Sequence, residues 1–115
     1  GDAPNSLAAR EWFETAAGQG YREAYFPTAQ LYFDAPADPK TGTWSAKDLA
    51  KTYLWLSAAA QGAVDPKQQA KATEMLKQVR EIMPKSWTPA LDAKVSKHFT
   101  SYGTAPHPVM NSLGN

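Results

Sequence analysis

Leu7-Ala8-Ala9-Arg10-Glu11-Trp12-Phe13-Glu14-Thr15-Ala16-Ala17-Gly18-Gln19-Gly20 returns 42 residues later as Leu49-Ala50-Lys51-Thr52-Tyr53-Leu54-Trp55-Leu56-Ser57-Ala58-Ala59-Ala60-Gln61-Gly62, with six of fourteen positions identical. Unrelated segments of this length share about one, and a fixed offset of this size is the mark of stacked two-helix units. Within each copy the apolar positions recur at three and four, which is a helical period, and glycine follows as a stop. The phrase therefore predicts two equivalent helices and an all-α fold.

Outward from the first copy, residues 6–17 read as a helix with Ala9, Trp12, Phe13, Ala16 and Ala17 inward. Residues 21–33 carry two stripes, Tyr21, Ala24, Tyr25, Thr28, Leu31 and Tyr32 on one side and Phe26, Ala29 and Phe33 on the other, so this helix is expected to be sandwiched. Pro27 lies inside it and cannot donate to the Glu23 carbonyl, which predicts a kink or a late helix start. Residues 34–44, dense in proline and turn formers, read as an ordered surface loop.

Outward from the second copy, Ser45-Ala46-Lys47-Asp48 has the form of a capping box with Asp in place of Glu, and it opens a helix carrying Leu49, Ala50, Tyr53, Leu56 and Ala60 inward. Asp65-Pro66 sets a cap acceptor and a first-turn proline before a helix with Ala72, Met75, Leu76, Val79, Ile82 and Met83 on one face, stopped by Pro84. Thr88-Pro89 repeats that cap chemistry for a fifth helix, with Leu91, Val95, His98, Phe99 and Tyr102 spaced to pack backwards. No segment alternates as a strand, and residues 103–115 lack periodicity. The expected organisation is one domain over residues 1–102 with a mobile tail, 103–115.

Composition narrows the classes. The chain of 115 residues is 43% apolar and long enough for one core, burying roughly two thirds of its unfolded surface. Twelve basic against eleven acidic residues argue against nucleic acid as a partner. The charge is uneven, five basic and seven acidic through Gly62 and seven basic and four acidic after it, but the lysines alternate with acids as on a solvated helix face. Without cysteine there is no disulfide or thiolate site. No apolar run approaches the roughly 20 residues that span a bilayer, and membrane insertion is not expected. Gly1-Asp2-Ala3-Pro4 lacks the regions of a signal peptide, and a repeat entered halfway points to further sequence upstream in a mature or excised protein.

The pattern Ala8, Trp12-Phe13, Ala16-Ala17, Gly20, Ala24, Tyr32, followed by Ala50, Leu54-Trp55, Ala58-Ala59 and Gly62, resembles the Sel-1-like repeat, a relative of the tetratricopeptide-type helical hairpins. The resemblance covers about residues 7–62. Paired alanines let helices approach, the aromatic pair one turn earlier fills the wider gap, and glycine accepts the turn. The chain departs from the family at Pro27, at Gln30 where glycine is usual, and in the loop after Phe33. The resemblance implies a short α-α superhelix of about five helices whose last helices cap the stack. Lys67, Gln68, Lys71, Gln78, Arg80 and Glu81 would supply the wet side of that cap.

Catalytic constellations are missing from the sequence: no Gly-x-Ser-x-Gly elbow, no phosphate-cradling loop, no metal-spaced histidine pair. His98 beside Phe99 reads as a packing residue, and His107 lies in the tail. Glu11 and Glu14 read as helix solvation rather than a catalytic pair, and Asp34, Asp38 and Asp48 do not follow a calcium loop. No cofactor or metal is expected. Trp12 and Trp55 belong with the core, whereas Trp44, Tyr25, Phe26 and Phe33 are candidates for a partner groove.

The expectation is a non-enzymatic scaffold or adaptor that docks a peptide or partner helix on its curved face. The family resemblance implies bacterial cell-envelope, secretion or signalling assemblies and hence a periplasmic or secreted setting. The alternatives are a module recognising envelope glycan or peptidoglycan with Trp44, Tyr25 and Phe33 as stacking platforms, and a regulatory domain of a larger enzyme.

Overall fold

A computed structural model describes residues 2–35, 40 and 44–102, with side chains in the first helix from residue 8 onward. Five α-helices run in order: α1 Asp2–Gly18, α2 Tyr25–Phe33, α3 Ala46–Gly62, α4 Pro66–Ile82 and α5 Thr88–Tyr102, with no strand among the described residues. The loop expected over 34–44 lies partly, and the tail expected over 103–115 wholly, outside the described residues; so do Asp38 and His107.

The centre of the fold is α3. Its N-terminus is fixed by Ser45, whose Oγ accepts from the Asp48 amide at 3.1 Å, the half of a capping box worth about 1 kcal/mol. Leu49, Thr52, Tyr53, Leu56, Ser57, Ala58 and Ala59 are all buried, which is more than one face of a helix can supply to one neighbour. Accordingly α2 packs on one side of α3, α4 on another, and α5 crosses it as well. The Ser57-Ala58-Ala59 run keeps side chains short where these helices approach.

The two glycines that end the repeated phrase do different work. Gly20 has φ 89°, and around it the Gly20 amide donates to the Ala17 carbonyl and the Tyr21 amide to the Ala16 carbonyl, the paired bonds of a Schellman ending. Gly62 instead remains inside α3, and the next residue, Ala63, is already extended at φ −63°, ψ 147°. Buried Gly62 contributes its carbonyl, which accepts from Arg22 Nε at 2.9 Å and ties the end of α3 to the corner after α1.

Pro27 produces the late start rather than a kink. A 3-10 turn, Arg22–Ala24, precedes α2, so Pro27 is the third residue of that helix. The first four amides of a helix have no partner within it, and proline there gives up no bond. Tyr21, expected in the apolar stripe, is consequently outside the helix and exposed. Ala24, Tyr25, Thr28, Ala29 and Tyr32 carry the burial instead.

Downstream, Asp65 Oδ1 accepts from the Lys67 amide at 2.9 Å with Pro66 opening α4, as the sequence predicts. Ala72, Met75, Leu76, Val79 and Met83 are buried, while Ile82 projects outward. The cap expected at Thr88 is not formed. A second 3-10 turn, Lys85–Trp87, leads into α5 with Thr88 already helical at φ −57°, ψ −47°, so the preceding turn takes over the role of the cap. Leu91, Val95 and Phe99 bury the inner side of α5, and Tyr102 stays half exposed.

Candidate functional site between the third and fifth helices

Where α5 crosses α3, the two helices leave an apolar cleft of about 140 Å3 lined by Leu54, Trp55 and Ala58 from α3 and Lys94, Val95 and His98 from α5. Ala58 creates the space: a methyl group stands one turn from Leu54 and Trp55, where a larger side chain would fill the gap. The i, i+4 spacing of Lys94 and His98 brings both onto the cleft side of α5.

Aromatic rings pack behind the wall of the cleft. Tyr25 stacks on Trp55 at 6.2 Å, and His98 meets the edges of Tyr25, Trp55 and Phe99 at 5.6 to 5.9 Å. The Tyr25 hydroxyl and His98 Nε2 are hydrogen-bonded at 2.9 Å. Burial pushes the Tyr25 hydroxyl up to about 12, against a small opposing pull from Arg22, and holds His98 below its ordinary value. Both groups are therefore neutral at pH 7, and the imidazole nitrogen nearest the core is already engaged.

On its other flank Trp55 reaches α1. Its Nε1 donates to Glu14 Oε2 at 2.9 Å, Lys51 Nζ donates to the same oxygen at 2.8 Å, and the Tyr32 hydroxyl donates to Oε1 at 2.6 Å. Glu14 is thus a junction joining α1 to α2 and α3, which corrects its reading as a solvated helix acid. Partial burial alone would raise its pKa, but the bonds from Lys51, Tyr32 and Trp55 and the charge of Lys51 together outweigh that and hold it below the usual carboxylate value. Tyr32 is driven upward by burial and by the carboxylate it serves. Glu11, one turn away, is exposed.

The residues expected to form a partner groove separate. Tyr25 is 1% exposed and offers a partner no surface, because its ring is the hub of the stack behind the cleft. Phe26 is half-buried against the core. Phe33 and Trp44 meet each other, ring centroids 5.6 Å apart and tilted by 50°, and Trp44 Nε1 donates to the Tyr32 carbonyl at 2.9 Å. Neither lines the α3/α5 cleft.

Of the repeat residues, Ala17, Ala58, Ala59 and Gly62 are buried, Phe13, Ala16, Gly20, Ala50 and Trp55 are half-buried, and Ala8 is exposed. Trp12, expected in the core, is 67% exposed. It lies edge-on to Phe13 at 5.1 Å and, with Tyr21, borders an open recess along the outer side of α1 whose walls include Ala8 and Ala16. The cause is position in the fold. Leu54, the counterpart of Trp12, has α5 beside it; α1 is an edge helix with no neighbour on that side among the described residues.

Leu54, Lys94 and Val95 were not singled out for binding by sequence. The available signal was Leu54-Trp55 at the repeat's aromatic pair together with Lys94-Val95 one turn before His98. Comparison with protein-family models, curated proteins and solved structures finds no match to this chain.

Proposed function

We propose that the protein is a non-enzymatic interaction module, built from hairpins like those of the Sel-1-like repeat, that holds a peptide or partner helix against the side formed by α1, α3 and α5. The reading extends to a short superhelix in which α1–α2 and α3–α4 are successive hairpins and α5 closes the stack, serving as a scaffold or adaptor in a bacterial cell-envelope assembly. Trp55 supports this arrangement, since its indole bonds to Glu14 of α1 on one flank and borders the α5 cleft on the other. In the proposed stack α1, α3 and α5 would follow one another, as successive hairpins require.

The α3/α5 cleft is the observation that carries the proposal. It is apolar, held open by packed rings, and sized for one side chain, the form of an anchor pocket in helix and peptide recognition. Burying one branched or aromatic side chain there is worth about 1.5–3 kcal/mol. That is roughly ten- to a hundredfold in affinity, so the cleft sets register while flanking contacts supply the rest.

Random peptides displayed on phage and panned on the protein test this directly. Selected peptides should shift the amide and methyl resonances of Leu54, Ala58, Val95 and His98. Shifts confined to other surfaces, or no enrichment at all, would remove the cleft as the anchor point.

A further inference from the structure

Resting on that reading, we propose that the cleft selects a partner segment in which a large apolar residue stands next to Asp or Glu, the apolar side chain entering between α3 and α5 and the carboxylate pairing with Lys94. The size fits one ring or branched chain: an apolar cavity of about 150 Å3 accommodates benzene, and this one measures about 140 Å3. Five of its six lining residues present carbon or a neutral ring, and Lys94 alone carries charge.

Lys94 is exposed and forms no ion pair among the described residues. Its own helix gives it none, because the positions three and four residues away are Ala90, Leu91, Lys97 and His98. Two described acids that bond to α3 already have partners. Asp92 accepts from the Tyr53 hydroxyl at 2.6 Å, on α3. Glu14, reached through Trp55, accepts from Lys51, Tyr32 and Trp55 itself, and Lys51 cancels its charge. The mouth of the apolar cleft therefore carries the positive charge of Lys94, which no described acid pairs with directly, and Lys97 follows one turn on. A basic neighbour in the ligand meets repulsion there, and a neutral one forgoes the only charge complementarity the cleft offers.

The experiment pans one random peptide library on the parent and on Lys94→Glu, an exposed substitution whose fold is checked by circular dichroism. The parent should enrich Phe, Leu or Met beside Asp or Glu, and Lys94→Glu should enrich the same apolar residues beside Lys or Arg. A synthetic acidic peptide from the parent selection should bind Lys94→Glu about tenfold more weakly, and its Glu→Lys counterpart should recover that loss. Apolar anchors enriched equally by both proteins without preference for charge would overturn the acidic partner while leaving the anchor cleft standing. Peptides that enrich for acid but leave Val95 and His98 unshifted would overturn the cleft itself, and the acidic partner with it.

Discussion

The Tyr25 hydroxyl and His98 Nε2, 2.9 Å apart, bind α2 to α5 across 73 residues of sequence and close the back of the apolar cleft. The imidazole faces the rings of Tyr25, Trp55, Phe99 and Tyr102, with Lys94 the one charged side chain lining the same cleft. Its pKa is depressed by burial below the ordinary 6.5, so the unfolded chain takes up this proton first as pH falls. Stability from this site is therefore complete above about pH 6.5 and declines as pH drops from there towards the folded value. Urea unfolding of the parent should show that slope, and His98→Phe should lose it. An imidazole that titrates at or above 6.5 by NMR would contradict the buried, neutral ring.

Glu14 gathers donors from Tyr32, Lys51 and Trp55, so its replacement is felt by three helices at once. Glu14→Gln keeps one acceptor but turns an amide towards these donors, and should lower stability by about 1–3 kcal/mol at neutral pH. The linkage has the same sign as that of His98 but acts in a more acid window, whereas an exposed acid with no partners would show none. Because the folded pKa lies below 4.5, the contribution is present above that value and is lost as pH falls through the folded one. Denaturation curves of parent and variant should converge in acid. A constant gap at every pH would show that packing, not charge, accounts for the loss.

Gly20 is needed twice over, for its φ of 89° and for its neighbour. A Cβ at this position would stand 2.6 Å from Tyr102 Cβ and 2.9 Å from Cγ, where α5 ends against the corner after α1. Gly20→Ala should cost more than about 2 kcal/mol, of which the left-handed backbone accounts for roughly 1–2. Adding Tyr102→Gly should return only the steric share, a coupling that a double-mutant cycle reads directly. Additive losses would place Tyr102 elsewhere.

What the sequence makes legible here is whatever is settled within one turn of the chain. Ser45 and Asp65-Pro66 act on their own helix, and their spacing announces it. The α3/α5 cleft is hidden because Leu54 and Val95 are brought together only by the crossing of two helices. Glu14 is hidden for the same reason, since its donors come from 18, 37 and 41 residues away. Tyr25 looked like a binding aromatic because a helix apolar on two sides does not say which side is covered. Thr88 failed as a cap because the upstream 3-10 turn delivers the chain already helical.

Trp12 and Trp55 separate the two contexts most sharply, since Trp55 aligns with Phe13, beside Trp12, yet only Trp55 is enclosed by neighbouring helices. Trp12→Ala removes a side chain that already meets water and should change stability by no more than about 0.5 kcal/mol. Trp55→Ala deletes the stack on Tyr25, the edge contact with His98 and the bond to Glu14, and should cost about 3 kcal/mol or more. The fluorescence of two further proteins, each keeping only Trp12 or only Trp55 of the four tryptophans with Phe at the other three, checks the cause independently. Trp12 should emit at long wavelength and be quenched readily by iodide, whereas Trp55 should emit to the blue and resist quenching. Equal quenching would mean that the outer side of α1 is covered in solution, and the small cost predicted for Trp12→Ala would then fail with it.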